Sequence, residues 1–213
     1  MKPALINLLL CSVLVFCCSA SRTQKWAPAV EKGYAKSTPA KDQSTQPAAE
    51  LQSLGRAFSG NWSLAVKYAA DEKMPNGFTG TGQEIWHAGP GGFTLLEEER
   101  LPSPRGDAYL LGVLWWDSGT KKLQGMECNN HLPYTCDLKG ALNDITLTWD
   151  GKQFAIDERE THNHKTYIWH EAWSEITESS FLQTGDVREP DGRSTRLFTI
   201  RGTKVSGRHA SSK

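Results

Sequence analysis

Hydrophobic and polar positions follow three regimes along the chain. Residues 4–16 form a mostly apolar run, residues 21–48 show no sustained period, and from Gly60 onward apolar and polar residues alternate with a period of two. Between the last two regimes, AELQSLGRAF places Leu51, Leu54 and Phe58 at helical spacing, which predicts one or two turns of amphipathic helix leading into Gly60.

Turn signals punctuate the alternating region at strand-like intervals: Pro75-Asn76-Gly77, Pro90-Gly91-Gly92, Pro104-Arg105-Gly106, Ser118-Gly119, Asp150-Gly151 and Asp191-Gly192. The segments between them, such as QEIWHA, YLLGVLWW, TYIWHEAW and TRLFTI, read as strands joined in hairpins, with no helix-sized stretch among them. An antiparallel meander of about ten strands would expose costly edges unless it closed on itself. The predicted fold is all-β, an antiparallel up-and-down barrel with a short N-terminal helix.

The apolar run follows one Lys and ends in Cys18-Ser19-Ala20, the small residues that signal peptidase requires. Residues 1–20 therefore read as a signal peptide cut after Ala20, residues 21–48 as a disordered linker rich in Pro, Ala, Ser, Thr, Lys and Gln, residues 49–205 as the barrel, and residues 206–213 as a flexible tail. The run is shorter than the roughly 20 residues of a bilayer span, and no later segment reaches that length. An exported, periplasmic or extracellular protein is expected, with lipidation at Cys17 or Cys18 as an alternative that would add a lipid anchor. Beyond the leader only Cys128 and Cys136 remain, and in an oxidising compartment a lone pair most simply forms a disulfide. Its rival, a redox or metal pair, lacks the CxxC spacing. Lys plus Arg equals Asp plus Glu, 24 each, so charge gives no ground for a nucleic-acid partner.

Five motifs occur in order: LGRAFSGNWSL, GTGQEIWHAGPGGFTLLEEER, YLLGVLWWDSGTKKLQGM, LTWDGK and a terminal LFTIRGTKV. This succession, over about residues 50 to 205, resembles a lipocalin-like, calycin-type bacterial family known as domain of unknown function 1579. The resemblance implies that Gly60 turns the chain tightly into the barrel and that Trp62 closes one end against a basic residue of the last strand, Arg201 or Lys204. Phe58, where an aliphatic residue is usual, and the Cys128–Cys136 insertion depart from the family pattern. The family has no assigned reaction, so the likeness implies a fold and a general role without a substrate.

Candidate chemistry is sparse. Tyr167, Trp169, Glu171, Trp173 and Glu175 share one face of a strand, and Glu84 with Trp86 and Tyr109 with Trp115 repeat the mixture of aromatic and acidic or polar groups that a ligand cavity needs. The competing reading has these aromatics in a plain core or packed outside. His162 and His164 could share a metal with His170 or His87, although His162-Asn163-His164-Lys165 falls where a hairpin tip is expected. His170 is also the candidate axial ligand if the barrel holds haem. Glu97-Glu98-Glu99 alternates faces and reads as a solvated strand end; Asp157, Glu158 and Glu160 are equally uninformative. HEAWS, from His170 to Ser174, lacks the second His of a zinc protease, and no esterase elbow or phosphate loop occurs.

The expected function is binding of a small apolar or amphipathic ligand in the barrel, without covalent chemistry and with no cofactor. Glu84, Trp86, Tyr109, Trp115, Tyr167, Trp169, Glu171 and Trp173 are the expected contacts. The alternatives are an enzyme with a cavity His or Glu as acid, base or haem or metal ligand, and a packed barrel serving as a surface interaction module. The oligomeric state is open.

Overall fold

In the computed structural model of the chain, residues 46–72, 74–131, 136–137 and 145–206 are described. The predicted signal peptide, the cysteines considered for lipidation, nearly all of the predicted linker and residues 207–213 of the predicted tail lie outside them. The described part opens with helix α1 (Ala49–Phe58). It continues through β1 (Gly60–Tyr68), β2 (Phe78–Ala88), β3 (Thr94–Leu101), β4 (Ala108–Asp117), β5 (Lys122–Asn129) and the two-residue β6 (Cys136–Asp137). Five more strands follow: β7 (Ile145–Trp149), β8 (Phe154–His162), β9 (Lys165–Ser174), β10 (Ser180–Arg188) and β11 (Ser194–Lys204).

Every ladder is antiparallel, and β1 pairs with both β2 and β11. With β5 reaching β7 through Leu123 and Leu147, the ten long strands close into a barrel, and β6 lies against β5 as an appendage. Closure leaves the long strands without the open edges that a flat meander of this length would expose. Cys128 and Cys136 face each other directly across β5 and β6 and form a disulfide.

α1 forms because its apolar positions recur at three and four residues; Leu51, Leu54 and Phe58 are buried and its other face is polar. Phe58 sits at the centre of an aromatic group, 5.1 Å from Trp86, 5.8 Å from Phe181 and 6.3 Å from both Phe154 and Trp149. Trp62 adds an edge contact to Phe181 at 4.9 Å, and its indole N–H donates to the Phe58 carbonyl at 2.7 Å. One barrel end is thus plugged by a helix held to the first strand by both packing and a buried hydrogen bond.

Gly60 joins that helix to that strand. Its φ of 135° is a conformation L side chains avoid, and a Cβ there would stand 2.6 Å from Lys204 Cε. Lys204 can consequently lie over Trp62, its Nζ 5.2 Å from the ring centroid. Of the two basic residues considered for this role, Lys204 fills it. Arg201 pairs with Ala65 on the outer face of the ladder and reaches Glu175 at 3.5 Å instead.

Candidate functional site in the barrel interior

Strand register decides what the barrel encloses. Trp62, Leu64 and Val66 are the buried alternates of β1, so their ladder partners mark the inner face of each neighbour. Trp62 pairs with Glu84, Glu84 with Glu99, and Trp86 with Glu97. Across the barrel, Gln183 pairs with Trp173 and Gly185 with Glu171. Three carboxyl groups from β2 and β3 therefore enter one interior with Glu171 of β9 and Gln183 of β10.

This corrects the reading of Glu97-Glu98-Glu99 as a solvated strand end. Alternation does send Glu98 outward, where it lies 3.9 Å from His87. The same alternation sends Glu97 and Glu99 inward, and they meet Glu84 of the next strand. The cluster is assembled across strands, so a rule about neighbours along one strand misses it. Gly112, opposite Glu97 on β4, supplies room: a Cβ there would lie 2.6 Å from Glu97 Oε2.

Burial is deep and partners are few. Glu84 is 1% exposed, Gln183 3% and Glu99 7%. Trp169 donates its indole N–H to Glu171 Oε1 at 2.7 Å, and Gln183 Nε2 donates to Glu171 Oε2 at 3.3 Å. Both oxygens of Glu84, Glu99 Oε1 and Gln183 Oε1 have no hydrogen-bond partner, nor do the indole N–H groups of Trp86 and Trp173. A buried polar atom without a partner costs about 1–3 kcal/mol, so a structure does not accumulate them for stability.

The electrostatics follow from this burial. Desolvation, with the charge of Glu99 behind it, pushes Glu84 up to about 8. The Glu97 carboxyl and Trp86 indole beside it temper the shift without cancelling it. Burial and then Glu84 raise Glu97 well above the carboxylate range, while burial, Glu97 and Glu171 do the same to Glu99. Glu171 rises to about 7, mainly by burial, with the Trp169 hydrogen bond opposing. Tyr68 is pushed to about 12 by burial and the charges of Glu99 and Glu171. Arg100 of β3 alternates with Glu97 and Glu99 and pairs with Asp107 at 2.8 Å, and Arg159 of β8 alternates with the inward Glu158 and Glu160.

Five of the eight expected ligand contacts, Glu84, Trp86, Trp169, Glu171 and Trp173, share this interior, and Tyr167 follows them on the same face of β9 towards the hairpin. The other two are corrected. Tyr109 pairs with the outward Arg100 and is 57% exposed, and Trp115 falls between the inward Leu114 and Trp116. Glu175 leaves the strand at a positive φ of 50°, so the alternation that grouped it with Trp173 ends before it. Sequence reasoning missed Glu97, Glu99 and Gln183; the signal was present as their two-residue spacing from buried Leu95 and Phe181.

His170 faces away from the interior. Its Nδ1 lies 2.7 Å from Asp157 Oδ1, so the reading of His170 as an axial haem ligand facing the cavity is corrected. His164 stands at the exposed β8–β9 hairpin tip, and His162 ends β8 with its side chain outside the described residues. Among the described residues no group of three or more His, Cys, Asp or Glu is arranged to hold a metal ion. No described helix is long and apolar enough to cross a membrane. Two open surface clefts, of about 350 and 850 Å³, flank α1; the first is lined by Leu51, Gly55 and Leu95, the second by Arg56, Trp149 and Lys204. Neither is lined by the carboxyl layer, and neither brings together comparable unsatisfied polar groups.

No family model matches the chain, and no curated protein matches it. Among solved structures it is similar to the crystal structure of Rv2717c from M. tuberculosis, with 9% sequence identity and a TM-score of 0.46, over 76% of this chain and 100% of that one.

Proposed function

We propose that this barrel is a lipocalin-like carrier that binds a small amphipathic molecule in its interior and does no covalent chemistry on it. One observation carries the reading: aromatic walls and buried, partnerless polar atoms occupy the same enclosed face, the pairing that a site for a partly apolar ligand requires. Trp169 and Trp173 lie against the apolar body of the ligand, and Glu84 and Glu171 anchor its polar end. The same reading has the protein exported and working outside the cytoplasm, which the Cys128–Cys136 disulfide supports. The second reading, an enzyme with a cavity Glu as acid or base, has the raised carboxyl groups of Glu84 and Glu171 in its favour.

The test is a fluorescence titration of the full chain with the neutral fluorophore phenylnaphthylamine. Saturable, one-to-one enhancement that weakens several-fold in Trp169→Ala is expected. Linear, non-saturating enhancement unchanged by that substitution would refute interior binding and favour the packed interaction barrel.

A further inference from the structure

The interior has a chemical polarity that narrows its ligand beyond "amphipathic". Of the atoms left without partners, four are oxygens, on Glu84, Glu99 and Gln183, and two are indole N–H donors. Gln183 is an observation independent of the acids: it is 3% exposed and its Nε2 is already committed to Glu171, which leaves Oε1 as a fixed, unsatisfied acceptor at the edge of the carboxyl layer. Once one of its carboxyl groups gives up its proton, the layer holds more acceptors than its own donors meet. Its cations are elsewhere, since Arg100 is held by Asp107 and Lys204 is drawn onto Trp62.

A compact multi-donor cation matches this set. An ammonium group carries three donors and no acceptor, and the faces of Trp86, Trp173 and Tyr68 suit both its charge and an attached alkyl chain. A bare metal ion fits less well, because the described carboxyl groups do not converge with metal-ligating geometry. Resting on the carrier reading above, we propose that the barrel selects ligands bearing a primary or secondary amine, whose ammonium hydrogen-bonds to Glu84, Glu99 and Gln183 Oε1.

The proposal has a proton balance. Glu84 is protonated near neutral pH, held so by burial and by Glu99, with Glu97, Glu127 and Glu171 further lining the layer and Tyr68 neutral. An amine arrives already charged, so seating it beside a carboxylate releases a proton from the layer to solvent. No bond is made or broken in the ligand.

The experiment is isothermal titration of the full chain with decylamine, decanol and decanoate at neutral pH, in two buffers of different ionisation enthalpy. Charge-assisted hydrogen bonds give an expected preference of roughly 10-fold or more for decylamine over decanol. Net proton release is expected for decylamine alone. Glu84→Gln and, separately, Gln183→Leu should each reduce that preference, bringing decylamine affinity down towards that of decanol. Equal affinity for decanol and decylamine, tighter binding of decanoate, or no proton release would overturn the amine assignment while leaving the carrier reading intact. Failure of all three ligands to bind, together with a non-saturating phenylnaphthylamine titration, would overturn both.

Discussion

The plugged end and the carboxyl layer lie in the same barrel and are built from the same alternating strands, yet they solve opposite problems. At the plug, Phe58, Trp62, Phe154 and Phe181 interlock, and the Trp62 indole N–H has its partner in the Phe58 carbonyl. In the neighbouring layer, Glu84 is equally buried but neither of its oxygens has one. A fold shaped by stability alone would fill the second region as it fills the first, since replacing buried charged groups with apolar ones of similar volume is often neutral or stabilising. On the proposed reading, the plug serves structure and the layer serves binding.

The largest effect should come from the plug. Phe58→Ala removes the ring common to four aromatic contacts and should cost about 3–5 kcal/mol in urea unfolding, because the rigid barrel rim cannot collapse into the space. A cost well under 1 kcal/mol would mean that α1 is an accessory to the barrel and not its stopper.

Next comes the pH dependence, which belongs to the layer. A carboxyl group whose folded pKa is raised binds its proton more tightly in the folded state. Its contribution is fully present below the unfolded pKa, about 4.5 for Glu84, and is lost as pH rises towards about 8. Glu171 acts in the same direction up to about 7. For the ligand-free protein, thermal melts should therefore show Tm falling across this window at roughly 2–4 °C per kcal/mol lost. A Tm that climbs over the same range would show that these acids are not buried as protonated groups.

The smallest effect should be at the cation over the indole. Lys204→Met keeps the alkyl stem and removes the charge above Trp62, so a loss of about 0.5–1 kcal/mol is expected. The loss should be insensitive to the Trp169→Ala substitution, since that ring is distant in the ladder and independent sites add.

The two regions also differ in how far they could be read from sequence. The plug was legible because its signals are local: Leu51, Leu54 and Phe58 keep helical spacing, and Gly60 precedes Trp62 by the two residues that put both on one side of β1. Half of the site was legible for the same reason, as Trp169, Glu171 and Trp173 alternate on one strand. Glu97 and Glu99 were not, because a charged strand end is the commoner fate of such a run and only the pairing of β2 with β3 brings them beside Glu84. Tyr109 and Trp115 failed for the converse reason. Their aromatic character resembled a cavity wall, but strand phase, set by Leu114 on the inner face, turns them outward. Periodicity gives two faces to a strand; which one is inside is a property of the closed sheet.

The claim that the carboxyl layer is kept for binding and at a cost to stability is tested most directly by denaturant unfolding of the wild type and Glu84→Gln, both ligand-free, at pH values above about 8, where Glu84 is ionised. The neutral isostere should be the more stable protein by about 2 kcal/mol or more, since the rise of Glu84 from 4.5 to about 8 spans several pKa units of about 1.4 kcal/mol each. A Gln variant less stable than the wild type would show that the Glu84 carboxylate holds the barrel together, and the separation of a structural plug from a binding layer would fall.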